Sequence, residues 1–218
     1  MFGPDGDRPS IRAGWTRGLL RYLEEHAEPA RVASVLSRIR PESQQAIRAL
    51  DGLAWLDIAA HLELLESMRT EVGPIEFVSL TRAASLGLMQ GGLLRTTAVA
   101  GVRVFGRAAI LKVLPRGWRL IVRGCGNFRV RRHPELNLTE VALAEMPPIV
   151  AASEGAKLAT AGMLAASCDL AGLPGRVQVD REGTDATTFV YHVSVHGEPR
   201  HRDEVSDRPP PVASEIED

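Results

Sequence analysis

The chain reads as an α+β protein: an N-terminal helical bundle packed on a four- to five-stranded, mostly antiparallel sheet that one long helix interrupts. Three changes of hydrophobic period predict it. Apolar residues recur at three- and four-residue spacings as far as Leu114, and after Pro115 they alternate singly with polar ones. From Ile149 to Ala171 the helical spacing returns, and two more alternating stretches follow. The stretch from Pro115 to Val195 therefore carries the sheet and its interrupting helix.

The elements follow in order. Leu19, Leu20, Tyr22 and Leu23 predict a short helix over 15–26, and Pro29 is placed to open a second, which carries Val32, Val35, Leu36 and Ile39. Pro41 breaks the chain before a third helix that runs to about Leu50, with Gly52 just past its end. A fourth helix over about 54–70 sets Trp55, Ile58, Leu62, Leu65 and Met68 on one stripe. Gly73-Pro74 separates it from a fifth over about 75–88, and a sixth over about 97–114 ends at Pro115. Trp118, Leu120 and Val122 then alternate with Arg119, Ile121 and Arg123, and Gly124-Cys125-Gly126-Asn127 supplies turn residues before Phe128 and Val130. A hairpin is expected there, with Cys125 exposed in its turn. A third strand is expected over about 137–144.

In the helix over 149–171, Ile149, Ala152, Ala156, Ala159, Met163, Ala166 and Leu170 form one seam, mostly alanine, that allows close approach of another element. Gly172 and Pro174 end it. Val177 and Val179, then Phe189, Tyr191, Val193 and Val195, mark two last strands around the turn 182–185. Residues 1–10 read as a flexible N-terminus, 11–196 as a single α+β domain, and 197–218 as a disordered, acidic, proline-rich tail containing Pro209-Pro210-Pro211.

Composition narrows function mainly by exclusion. The formal net charge is −1, and the tail's seven acids against three arginines leave the rest near +3. That is too mild to predict nucleic-acid or membrane-surface binding. Two cysteines support neither a disulfide framework nor a zinc site. No apolar run reaches the roughly 18 residues of a membrane span, and the first residues lack the pattern of a signal peptide. The expected location is the cytoplasm.

Few residues carry chemistry. His61 borders the apolar stripe of the fourth helix, where it serves either as an interfacial histidine or as a heme-iron ligand. Cys168 is a redox or acylation candidate, or a buried small hydrophobe. Arg119, Arg123, Arg129 and Arg131 would share the outer face of the hairpin, either solvated or facing phosphate, an acidic partner or the anionic tail. That face lacks aromatics for base stacking. His192 and His196 stand about 13 Å apart on one strand, too far to share a metal. Gly87 to Gly92 lacks a phosphate-loop ending, and no Gly-x-Ser-x-Gly, His-Glu-x-x-His or dinucleotide glycine pattern occurs.

Several short stretches also occur in a telling order. They are Ile11-Arg-Ala-Gly14, Val-Leu-Ser-Arg-Ile-Arg-Pro-Glu at 35–42, and Trp-Leu-Asp-Ile-Ala-Ala-His-Leu-Glu-Leu-Leu at 55–65, then Pro115 to Trp118, and Cys-Asp-Leu-Ala-Gly-Leu at 168–173 before two strands. In this layout, which covers about 11–196, the chain resembles a paralogous family of uncharacterised proteins abundant in myxobacteria, domain of unknown function 2378. That family is distantly similar to a ligand-binding superfamily that includes heme nitric-oxide sensors, vinyl-reductase-type small-molecule domains and transport-particle subunits. The resemblance implies helices first, then an antiparallel sheet interrupted by a helix, often with an apolar ligand held between them. The heme sensors' Tyr-x-Ser-x-Arg porphyrin clamp does not occur here, so no cofactor and no family functional residue is carried over.

Together these readings predict a non-enzymatic cytoplasmic sensor or regulatory module that binds a small apolar ligand or a protein partner. The alternative is a dimerising scaffold or adaptor without a ligand, its interface an exposed apolar helix face. Neither nucleic acid nor membrane insertion is expected. His61, Trp118, Met163 and Cys168 are the candidates for a ligand pocket or an interface.

Overall fold

The computed structural model describes residues 8–91, 110–173 and 175–195. It is α+β, with two antiparallel sheets and a helical N-terminal part. Strand β1 (Ser10–Arg12) leads directly into α1 (Ala13–His26), whose buried stripe is Ala13, Thr16, Leu19, Leu20 and Leu23. Helices α2 (Pro29–Ser37) and α3 (Pro41–Ala49) both start on a proline, where the missing N–H costs nothing.

The fourth helix begins later than its apolar stripe predicts. Trp55–Asp57 is a strand, β2, paired with β1, and the Asp57 carboxylate accepts from the Ala59 N–H to cap α4 (Ile58–Gln90). Trp55 therefore lies outside the helical stripe. Gly73-Pro74 does separate two helices, as expected: Gly73 takes φ 78°, ψ 165°, outside the helical region, and α4 consists of two helical stretches that meet at this kink.

The largest correction follows residue 110. The part of the predicted sixth helix before that lies outside the described residues, but Ile110–Ile121 is a helix, α5, that continues through Pro115. Trp118, Leu120 and Ile121 are helical and do not alternate along a strand. Burial explains the difference: Ile110, Leu111 and Ile121 are buried and Val113, Leu114, Gly117 and Trp118 half-buried, while Lys112, Arg116, Arg119 and Leu120 are exposed. That division has the helical period. The short strand β3 (Val122–Arg123) pairs with β1 to give the order β2-β1-β3, so no hairpin joins it to the following strand.

The second sheet has the order β4-β5-β7-β6, made by β4 (Asn127–His133), β5 (Leu138–Ala144), β6 (Gly175–Asp180) and β7 (Phe189–Val195). Its inner face buries Phe128, Val141, Leu143, Phe189, Tyr191 and Val193. Between β5 and β6 the interrupting helix comes in two pieces. A single turn, α6 (Pro148–Ala151), is followed by α7 (Glu154–Leu170), whose N-cap Ser153 accepts from the Ala156 N–H. The break leaves Ile149 and Ala152 exposed, so the predicted seam is shorter than its spacing indicated. Helix α7 lies between α4 and the four-stranded sheet, and every residue from Thr160 to Cys168 is buried.

Close approach to α4 depends more on glycine than on alanine. A Cβ at Gly155 would stand 3.1 Å from the Glu66 N, and one at Gly162 2.9 Å from both the Arg82 N and the Val78 O. The two helices are also tied at both ends. Glu66 of α4 accepts from the Ser153 hydroxyl and the Gly155 N–H, each at 2.7 Å, and Arg82 donates two 2.6 Å hydrogen bonds to Asp169.

Candidate functional site

Two apolar spaces open where α4, α5 and α7 meet the sheets. The first is a cleft of about 70 Å³ walled by Met89 at the end of α4, Val113, Leu114 and Trp118 of α5, Phe128 of β4 and Leu170 of α7. Its lining is almost wholly apolar. The Trp118 indole donates to the Gly126 carbonyl at 3.1 Å and meets the Phe128 ring edge-on at 5.0 Å. Both contacts hold α5 against β4, and they are what the alternating reading of 118–123 missed. Helical spacing of Ile110, Val113, Leu114, Gly117 and Ile121 was the available signal.

The second space, about 50 Å³, lies deeper, between the long helices and the two sheets. Here Trp118 and Met163 meet His61, with Cys125, Ala156 and Thr160 also on the wall. The structure thus brings three of the four sequence candidates to one cavity. Cys168 lines neither space; it is fully buried on the sheet side of α7, beside Gly175.

His61 is 7% exposed, and its Nδ1 shares a 2.9 Å hydrogen bond with Thr16 Oγ1 of α1. Burial pushes its pKa down to about 4, so the imidazole is neutral at ordinary pH. Burial also raises both thiols, Cys125 to about 12 and Cys168 to about 11. Cys125 is thus not an exposed turn residue: it is buried, with Sγ 3.1 Å from the Arg123 carbonyl. Neither thiol is set up as a nucleophile, since the thiolate is the reactive form. Among the described residues no three His, Cys, Asp or Glu side chains are grouped to hold a metal ion.

The arginines do not form the common hairpin face. Arg119 stands on α5, Arg129 pairs with Glu145, and Arg131 lies opposite Glu140 on β5. Arg123 and Arg12 lie over the Trp55 ring, 4.0 and 3.8 Å from its centroid. A wider groove beside α4 is charged, but its Glu63 and Glu66 are paired with Arg40 and Arg69. His196 and residues 197–218 lie outside the described part.

No family model matches the chain, and no curated protein matches it. Solved structures do. Over 87% of this chain and 98% of its own length, an H-NOX protein from S. oneidensis in the Fe(II) state superposes with a TM-score of 0.57 at 9% identity. The fold is similar to that of H-NOX domains. The unliganded Fe(II) H-NOX protein from K. algicida gives a TM-score of 0.53 at 12% identity over 86% of this chain and 98% of its own. A structure from work on heme distortion in the H-NOX family gives 0.53 at 11% identity over 86% and 96%. At such identities the likeness concerns the fold alone.

The described residues do not fit a heme. Pockets that take drug-sized ligands run to about 300–1,000 Å³. The cleft and the cavity hold about 70 and 50 Å³, and the groove beside α4, at about 730 Å³, has no histidine, cysteine, tyrosine or methionine on its wall to ligate iron. Neither Tyr22 nor Tyr191 begins a Tyr-x-Ser-x-Arg sequence. No helix among the described residues is long and apolar enough to cross a membrane.

Proposed function

We propose that the chain is a non-enzymatic sensor or regulatory module whose apolar cleft takes a small hydrophobic guest, or the hydrophobic end of a larger one. One observation carries this reading: a cleft with almost no polar surface stays open between α5 and α7. Its volume is about half that of an engineered apolar cavity, ~150 Å³, that binds benzene. A guest of a few heavy atoms therefore suits the closed form. The buried neutral His61 and the two suppressed thiols support a non-catalytic role. The kinship with domain of unknown function 2378 and a cytoplasmic location belong to the same proposal.

Large apolar side chains that remain exposed, such as Leu53, Ile75, Leu120, Leu136 and Ile149, sit on separate segments. Among the described residues they assemble no single helix face, so the dimerising-scaffold reading has less support. The test of the ligand reading uses the methionines. With ¹³C-methyl methionine and dissolved xenon as the probe, the Met89 and Met163 signals should shift saturably while Met68, buried elsewhere in the core, stays fixed. Gly117, where an added Cβ meets nothing within 4 Å, gives the matching variant: Gly117→Leu should fill the cleft and abolish the shift. Equal shifts in both proteins, or none in either, would sink the ligand reading.

A further inference from the structure

The formal charge near zero conceals a strong division along the chain. From residue 77 to 134 there are eleven Lys and Arg and no Asp or Glu, whereas the rest holds fifteen against twenty-seven. Several of the eleven are occupied: Arg82 by Asp169, Arg129 by Glu145, and Arg123 by the Trp55 ring. On α5, however, Lys112, Arg116 and Arg119 are exposed and have no ion pair among the described residues. Spacings of four and three put them on one stripe, opposite the side that lines the apolar cleft.

We propose that this stripe is the docking surface for the chain's own acidic segment, residues 198–218. Charge and geometry both favour that occupant. The segment carries seven acids against three arginines. It follows β7, whose Val195 stands opposite Gly175, and a Cβ on Gly175 would lie 3.5 Å from Cys168 of α7. Ser167 and Leu170, on the same turn of α7, line the cleft together with α5. Two helices, α7 and α5, each about 10–12 Å across, thus separate the exit of the acidic segment from the basic stripe. Asp203, Glu204 and Asp207 come eight to twelve residues after Val195. At about 3.3 Å per residue that is about 26–40 Å of chain, enough to cross both.

Tethering sets the effective concentration of such a segment near the millimolar range, so a weak contact suffices. The stripe is also short. Seven residues of helix span about 10 Å, which suits a few carboxylates better than a duplex footprint of some 6–10 phosphates. The docked segment would lie over α5, the outer wall of the cleft, and its docking does not depend on whether the cleft holds a guest.

The chain contains only two lysines, Lys112 on α5 and Lys157 on α7, which makes the test clean. The full-length protein, dilute, is treated with a water-soluble carbodiimide, and amide links from lysine to carboxylate are mapped by mass spectrometry. The expected result is an intramolecular link from Lys112 to residues 198–218. It should fall about tenfold near 1 M salt, where the Debye length shrinks to about 3 Å, and likewise in R116Q/R119Q. Links to Lys157 as frequent as those to Lys112, links only between two chains, or none to Lys112 would overturn the proposal. A second arm replaces the seven acids by amides in the full chain. The Nε–H signals of Arg116 and Arg119 should then move while that of Arg21 stays, and an unchanged spectrum overturns the proposal. So does tight binding of phosphatidylserine vesicles or an oligonucleotide at the stripe that is equal with and without those acids, because the partner is then external.

Discussion

His61 shows how burial changes the meaning of one side chain. On sequence it borders an apolar stripe; in the fold it is enclosed between α1 and α4 and held by Thr16. Its folded pKa, about 4, is below the ordinary 6.5. The unfolded chain therefore binds a proton more readily, and the His61 contribution is fully present above pH 6.5. It is lost as pH falls from 6.5 toward 4 and is constant below that. Such a shift corresponds to about 3 kcal/mol across the window. Urea midpoints measured from pH 7 to 4 should fall steeply in the native protein and more shallowly in His61→Gln. The carboxylate Glu66 titrates lower. Burial alone would raise its pKa, but the hydrogen bonds from Ser153, Gly155 and Arg69 outweigh burial and hold it below 4.5. Its acid-induced loss thus begins where that of His61 is ending.

At the scale of elements, the α4–α7 contact is the most extensive among the described residues. A methyl at Gly162 would come within 2.3 Å of Thr81 Oγ1 and 2.9 Å of the α4 backbone. Because backbone cannot swing aside, Gly162→Ala should cost about 1–3 kcal/mol by overpacking. Gly87, also in α4, has nothing within 4 Å of an added Cβ. Gly87→Ala should therefore stabilise by about 0.5–1 kcal/mol through the helix preference alone. Opposite signs for the two variants in thermal melts would confirm that space, and not helix propensity, decides at Gly162. Most helices were legible because proline at their starts and apolar residues at helical spacing are local signals. Helix α5 was not, since six residues of alternation fit a strand equally well and only the contacts of Trp118 with Gly126 and Phe128 decide between them.

For the whole molecule, α7 is the centre, enclosed by α4 on one side and the four-stranded sheet on the other. Amide exchange measured at neutral pH should accordingly be slowest over residues 160–168 and faster in α2, which buries only Val35. Comparable protection in both helices would show that α7 is not the last element to open. The three-stranded sheet is a whole-molecule feature too. It joins segments near residues 11, 56 and 122, and each strand is too short to be recognised before its partners are in place.

The sequence alone determined the α+β class, the start of α2 and α3 at proline, the strands β4 to β7 and the small-residue helix between them. These depend on period, breakers and burial of one face, which a chain carries locally. The tertiary structure decided that residues 115–121 are helix, that Trp55 belongs to a strand, and that His61, Trp118 and Met163 share one cavity. It also decided which small residues matter, because Gly155 and Gly162 are distinguished from their alanine neighbours only by how closely the backbone of α4 approaches. Each of these depends on elements far apart in sequence whose contact energy outweighs a weak local preference.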